Sequence, residues 1–153
     1  MKILLATDGS EFSRAAAEKC CEFITAGAAT AIRIVSVYEA QVPMAAEPFA
    51  ISAEFYQKLD DFAEQRSKEA VERTAQLIRS KCPDAKVEID TEVELGIPAE
   101  VILKTAEKWG ADLIVVGSHG RGFWGRLTLG SVSDAVVHHA PCSVLIVRKN
   151  SGS

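Results

Sequence analysis

Apolar positions along this chain switch repeatedly between a strand rhythm and a helix rhythm, and the switches define the elements. KILLAT, residues 2–7, is a nearly continuous apolar run closed by the turn-like DGS, which predicts a strand buried on both faces. Ser10 then offers an N-cap, and FSRAAAEKCCEFITAGA carries apolar residues at helical spacing until Gly27 stops the helix. The β-branched IRIVSVY, residues 32–38, predicts a second strand. Residues 39–51 hold two prolines and show no period, so they read as a loop. From Ser52 a long helix is expected. It carries Phe55, Leu59, Phe62, Ala63, Ala70, Val71, Ala75 and Ile78 roughly along one face, its charges on a solvated face, and Pro83 ends it. AKVEIDTEVEL alternates, setting Val87, Ile89 and Thr91 against Glu88, Asp90 and Glu92, as expected of a half-exposed edge strand. GIPAEVILKTAEKWG predicts a helix with Pro98 in its first turn and Gly110 at its end. ADLIVVGS, residues 111–118, reads as a central strand, SVSDAVVHHA as a helix, and CSVLIVR after Pro141 as the last strand.

The order β-α-β-α-β-α-β-α-β predicts an α/β fold, a parallel sheet covered by helices on both faces with right-handed crossovers. In that class ligands bind beyond the carboxyl ends of the strands, where the strand order reverses. Two stretches fall at such ends: ATDGS after the first strand, and VVGSHGRGFWGRLTLGSVSDAV, residues 115–136, after the fourth.

Composition narrows the class. A chain of 153 residues fits one domain, expected over 1–149, with 150–153 set aside as a tail. The net charge of −4, with basic residues scattered along the chain, gives no footprint for nucleic acid. MKILLATDGS has too few apolar residues for a signal-peptide core and no run is long enough to span a bilayer, so no membrane is expected and the setting is read as cytoplasmic. Cys20, Cys21, Cys82 and Cys142 form no CxxC pair and read as buried small hydrophobes. The adjacent Cys20 and Cys21 could sense oxidation if one were exposed. His138 and His139 read as helix-end surface residues, Trp109 as a packing residue, and Trp124 as a shield for the site or a packing residue on a neighbour.

By spacing, the fourth strand leads into Gly117, two residues, Gly120, nine residues, Gly130 and Ser131. Gly117 and Gly120 lack a Cβ, so the backbone there can adopt positive φ and bring N–H groups close to a phosphate. Gly130 and Ser131 open the next helix, whose first N–H groups are unpaired and whose dipole favours negative charge. Two anion-binding devices thus flank one loop, and the hydroxyls of Ser131 and Ser133 can add donors. Arg121 and Arg126 can neutralise phosphate charge, and His119 can donate to it. Asp8, taken alone, is a turn former and helix cap. Gly122 and Gly125, outside the spaced pattern, read as giving the loop mobility. The Walker pattern GxxxxGK[ST] does not occur, so a triphosphate would rely on backbone donors, arginines and Mg²⁺.

These residues resemble the universal stress protein family, and within it the ATP-binding branch. The match covers nearly the whole chain: T-D-G-S after the first strand, then Gly96, Pro98, Ala99 and Glu100, ADLIVVGSHG, LGSVSDAV and PCSVLIV. The resemblance implies a Rossmann-like three-layer sandwich of five parallel strands in order 3-2-1-4-5 with four helices, binding ATP or AMP, with Mg²⁺ accompanying ATP. It implies that Asp8 contacts the ribose or a phosphate-bound metal ion, that Ala6 and Thr7 line the adenine side, and that the Val37 backbone meets the adenine edge. Val116, Gly117, His119 and Gly120 would lie along ribose and phosphates, followed by Gly130, Ser131, Val132 and Ser133 at the helix start. It implies a homodimer through the last strand, Ser143, Val144, Leu145, Ile146 and Val147, and a role in stress response or signalling.

Phosphoryl transfer needs a positioned base or water-orienting residue, and the motif supplies a cradle with no obvious pair for that task. The first reading is therefore a nucleotide-responsive binding module with no catalytic residues. The alternative is a slow ATPase or autophosphorylating enzyme of the same fold. A phospho-acceptor receiver domain shares the fold class and length but needs paired acids after the first strand, where Asp8 stands alone.

Overall fold

The computed structural model describes residues 1–29, 31–41, 52–121 and 128–149. Its elements are β1 (Lys2–Ala6), α1 (Glu11–Thr25), β2 (Ala31–Tyr38), α2 (Ala53–Lys81), β3 (Glu88–Leu95), α3 (Pro98–Trp109), β4 (Leu113–Gly117), α4 (Ser131–His139) and β5 (Ser143–Val147). The five strands form one parallel sheet in the order β3-β2-β1-β4-β5. Order therefore reverses between β1 and β4, the place where an open α/β sheet leaves a crevice.

Local chemistry sets the boundaries. The Ser10 side chain caps α1 by accepting from the Ser13 N–H at 3.3 Å. At the other end Gly27, at φ +69°, lets the Ala28 N–H reach the Phe23 carbonyl at 3.0 Å, closing a Schellman turn. Ser52 caps α2 by accepting from Phe55 N–H, and Pro98 starts α3 where no N–H is needed.

The continuous apolar strands sort their side chains to two cores. Ile3, Leu5, Ile32, Ile34, Leu113 and Val115 pack under α1 and α2, while Leu4, Val35, Ile114 and Val116 pack under α3 and α4. Ile3, Leu4 and Leu5 have no exposed surface, as a strand covered on both faces requires. Trp109 packs against the second core beneath the Arg33 guanidinium, 5.0 Å from the ring centroid, and Lys2 at 5.5 Å.

Three expectations need correction. In the edge strand, Val87 lies just before β3 yet packs on the core with Ile89 as expected, while Thr91 is exposed and Glu92 half-buried, so the inward set is Val87, Ile89 and Val93. Glu92 is drawn in by Arg33, a central-strand cation 3.5 Å away that also meets Asp90 at 2.9 Å. Burial, and next the hydrogen-bonded Glu94 carboxyl, raise its pKa despite the arginine. The apolar face of α2 is also shorter than its pattern. Burial begins at Ser67 and continues through Ala70, Val71, Thr74, Ala75 and Ile78, while Phe55 and Phe62 are 47% and 62% exposed. Its 29 residues span roughly 43 Å at about 1.5 Å each, whereas the 8-residue strands it covers span roughly 26 Å. The first half of α2 therefore overhangs the carboxyl ends of the sheet.

The spaced glycines also act differently from expectation. The described residues with clearly positive φ are glycines 9, 27, 96 and 110, and neither Gly117 nor Gly120 is among them. Gly117 is instead a point of contact: a Cβ there would stand 2.7 Å from the Phe12 carbonyl carbon and 2.9 Å from its oxygen. The missing side chain lets the first turn of α1 seat against the end of β4.

Gly117→Ala is therefore expected to destabilise the fold by about 2 kcal/mol, as overpacking against backbone does. Chemical denaturation should show a lower midpoint at unchanged slope; an unchanged midpoint would refute the contact. Cys20 and Cys21 are buried, and burial pushes both thiols up to about 12, the neighbouring Cys82 adding to the effect on Cys21. A thiol reagent at mildly alkaline pH should label the half-exposed Cys142 first and reach Cys20 and Cys21 only on unfolding. Prompt native labelling of either, located by peptide mapping, would contradict this packing.

Candidate functional site

The carboxyl ends of β1, β2 and β4 open into one cavity of about 550 Å³. Ala6, Thr7 and Asp8 reach it from β1, and Val37 from β2. Val116, Gly117, His119 and Gly120 reach it from β4 and the turn that follows, and Gly130, Ser131, Val132 and Ser133 from the start of α4. The fold thus brings the spaced residues of the motif, Gly117, Gly120, Gly130 and Ser131, to the wall of a single chamber. Trp124, Arg126, Gly122 and Gly125 lie outside the described residues.

The chamber closes around one carbonyl. Ser118, buried just past β4, accepts from the Gly130 N–H at 2.8 Å and from the Ser133 hydroxyl at 3.0 Å. Gly130 can come this close because it has no side chain: a Cβ would lie 3.2 Å from His119 Cα. The N–H of Gly130 is spent on this bond, so the open donors of α4 are the N–H groups of Ser131, Val132 and Ser133. The Ser133 hydroxyl is likewise committed, bridging the Ser118 and Gly130 carbonyls. Ser131 is exposed at the first position of the helix.

Asp8 fastens the other side. One of its carboxylate oxygens accepts from Ser10 N–H at 2.9 Å and the other from Arg121 N–H at 3.0 Å. Gly120 makes room for it, since a Cβ there would fall 2.9 Å from Asp8 Oδ2. Behind Asp8, buried hydroxyls tie three elements together. Thr7 donates to Ser13 at 3.1 Å, Ser13 to the Ser10 carbonyl at 3.0 Å, and Thr74 lies 3.2 Å from Thr7. The His119 ring spans the nine-residue loop, Nε2 meeting the Thr128 carbonyl and Nδ1 the Ser118 hydroxyl at 3.0 Å. A carbonyl only accepts, so Nε2 carries the proton and Nδ1 accepts from the hydroxyl. The edge of the ring stacks on Phe12 at 5.2 Å.

Sequence reasoning missed the far wall. Val35 and Ser36 of β2, Pro98 and Ile102 of α3, and Ala63, Arg66 and Ser67 of α2 line the cavity too. Reading the charges of α2 as wholly solvated overlooked Arg66, whose guanidinium also rests 5.6 Å from the Phe62 ring centroid. The signal that could have found it is the run Ala63, Arg66, Ser67, Ala70, one stripe of a helix too long for the strands beneath it. Val35, Val37, Ile102 and Val116 give the cavity an apolar flank; Arg121 and the start of α4 give it a cationic and N–H-rich flank. Such a chamber suits a ligand with a flat, weakly polar ring at one end and an anionic group at the other. Among the described residues no three His, Cys, Asp or Glu side chains converge as metal ligands, and no helix is long and apolar enough to cross a membrane.

The universal stress protein family model matches residues 1–148. A universal stress protein of Methanocaldococcus jannaschii is 32% identical over 97% of this chain and 82% of its own length. Among solved structures, the universal stress protein UspA of Lactobacillus plantarum superposes with a TM-score of 0.80 at 26% identity, covering 97% of both chains. A universal stress protein family member of Arabidopsis thaliana, solved with AMP bound, shares the fold at a TM-score of 0.67 and 22% identity, covering 99% of this chain and 93% of its own. The five-stranded parallel sheet, the cavity at its switch point and these matches have one reading: the chain belongs to the universal stress protein family.

Proposed function

We propose that this protein binds an adenine nucleotide, ATP or AMP, in the cavity at the ends of β1, β2 and β4, and that bound nucleotide governs its conformation or its contacts with a protein partner in a cytoplasmic stress response. The observation that carries the reading is the polarity of that one chamber, apolar toward Val37 and Ile102 and lined by open N–H groups and Arg121 toward α4. The base takes the apolar flank beside Ala6, Thr7 and Val37. The phosphates take the start of α4, where helix dipole and unpaired N–H groups coincide. The AMP-bound Arabidopsis protein supports a fold able to take such a ligand. Mg²⁺ would arrive with the phosphates of ATP, and Asp8 is the carboxylate best placed to meet it, each of its oxygens keeping a lone pair beyond the one N–H it accepts.

The second element of the proposal is a homodimer through β5. The sheet has two edges, and they differ in chemistry. β3 carries Glu88, Asp90, Glu92 and Glu94 on one face, and like charges oppose its pairing with a copy of itself. β5, Ser143–Val147, is uncharged, half-buried from Val144 to Val147, and among the described residues pairs only with β4.

Isothermal titration with ATP and with AMP, each with Mg²⁺, should show saturable binding. Ser131→Asp should then weaken binding at least tenfold, because it places a carboxylate where the phosphates sit, while adding a few tenths of a kcal/mol or more to α4 through the helix dipole. Absence of binding to folded wild type, or full binding by Ser131→Asp, would refute the reading. Sedimentation equilibrium should return twice the chain mass of 16.5 kDa, and a monomer at micromolar concentration would refute the dimer.

A further inference from the structure

The turn between Asp8 and α1 carries a feature the nucleotide motif does not use. Gly9 holds φ +76°, and the point where its Cβ would sit is 2.7 Å from Arg121 Nη2 and 3.6 Å from Arg73 Nη2, which keeps the two nitrogens within about 6.3 Å of each other. Arg121 opens the nine-residue loop and lines the cavity; Arg73 projects from α2, seven residues beyond the cavity-lining Arg66. Between these arginines on the same stripe, Ala70 is buried with its Cβ 3.4 Å from that same point. Two guanidiniums thus converge on one small turn, from elements far apart in sequence.

Among the described residues, no carboxylate pairs with either of them. The ion pairs of the described residues engage Arg14, Arg33, Lys19, Lys58, Lys68, Lys81, Lys149 and His138, and neither Arg73 nor Arg121 has an acidic side chain within 4.0 Å among them. The nearest acid on the turn, Asp8, gives its oxygens to the backbone N–H groups of Ser10 and Arg121. Glu11, the next, is paired with Lys149, and that ammonium lowers its pKa. Holding two like charges this close is unfavourable until an anion stands between them. Guanidinium forks are the side chains suited to phosphate oxygens.

We propose that Arg73 and Arg121 form a distal phosphate subsite over Gly9, and that it takes the terminal phosphates of a nucleoside triphosphate whose first phosphate lies at the start of α4. The inference rests on the nucleotide reading above and adds to it a count of phosphates. A monophosphate ends at α4 and leaves the pair unneutralised; a triphosphate extends past Asp8 to it. The bound triphosphate then ties the start of the nine-residue loop to α2, an element a monophosphate leaves untouched. Charge, and not the glycine spacing, selects the longer ligand.

The test is a titration of AMP and ATP, at one ionic strength and with Mg²⁺, into wild type, Arg73→Gln and Arg73→Lys. Arg73 is exposed on α2, so both variants should keep the wild-type circular dichroism and melting profile. Wild type should bind ATP more tightly than AMP. Arg73→Gln should weaken ATP about tenfold and leave AMP within twofold, and Arg73→Lys should recover part of the loss. If wild type binds both ligands equally, or Arg73→Gln weakens both alike or neither, the subsite is wrong while nucleotide binding stands. If wild type binds neither ligand, both proposals fall together.

Discussion

The carbonyl of Ser118 holds this site together. Placed at the end of a buried inner strand, it accepts the Gly130 N–H and the Ser133 hydroxyl, and so draws the first turn of α4 back to the end of β4 across a nine-residue excursion. Without that closure the helix would still form, but its N–H groups would face solvent at large. With it, they face the crevice left by the reversal between β1 and β4. Strand rigidity, loop closure and helix electrostatics act in series, and the carbonyl is the joint between the first two and the third.

The glycines of the motif belong to the same account. Their spacing was legible in the sequence, and so was their place between a central strand and a helix. Their reason was not. Gly117 yields space to Phe12, Gly120 to the Asp8 carboxylate, and Gly130 to the backbone at His119. These are approaches between segments remote in sequence, which no local property of glycine reveals. The expected positive φ is found one turn away, at Gly9. The pattern falls on the wall of one chamber, and the demand its glycines meet there is close packing of protein on protein.

Much of the fold was legible because local signals agreed. Caps at Ser10 and Ser52, Pro98 at the head of α3, and continuous apolar strands all point to alternating elements, and the sheet order followed from the resemblance. What periodicity could not show was reach. It reads Phe55, Phe62 and Ile78 as one face, yet the sheet ends beneath the middle of α2, so only its second half is covered. The overhang turns a charge that pattern assigns to solvent, Arg66, into a wall of the cavity. Edge strand β3 errs in the same way: alternation hides Glu92 because its partial burial depends on Arg33, a residue of the neighbouring strand.

A consequence concerns the kind of chemistry available here. The side chains that sequence offers as donors are largely spent on the frame: Ser133 on two carbonyls, Thr7 on Ser13, and the His119 nitrogens on Thr128 and Ser118. Asp8 is held between two N–H groups. The N–H groups at the start of α4 and the guanidiniums of Arg66 and Arg121 also line the cavity, groups that stabilise negative charge without accepting a proton. The same wall also carries the carboxylates of Asp8 and Glu39, so its described groups offer both signs of charge to whatever the cavity holds.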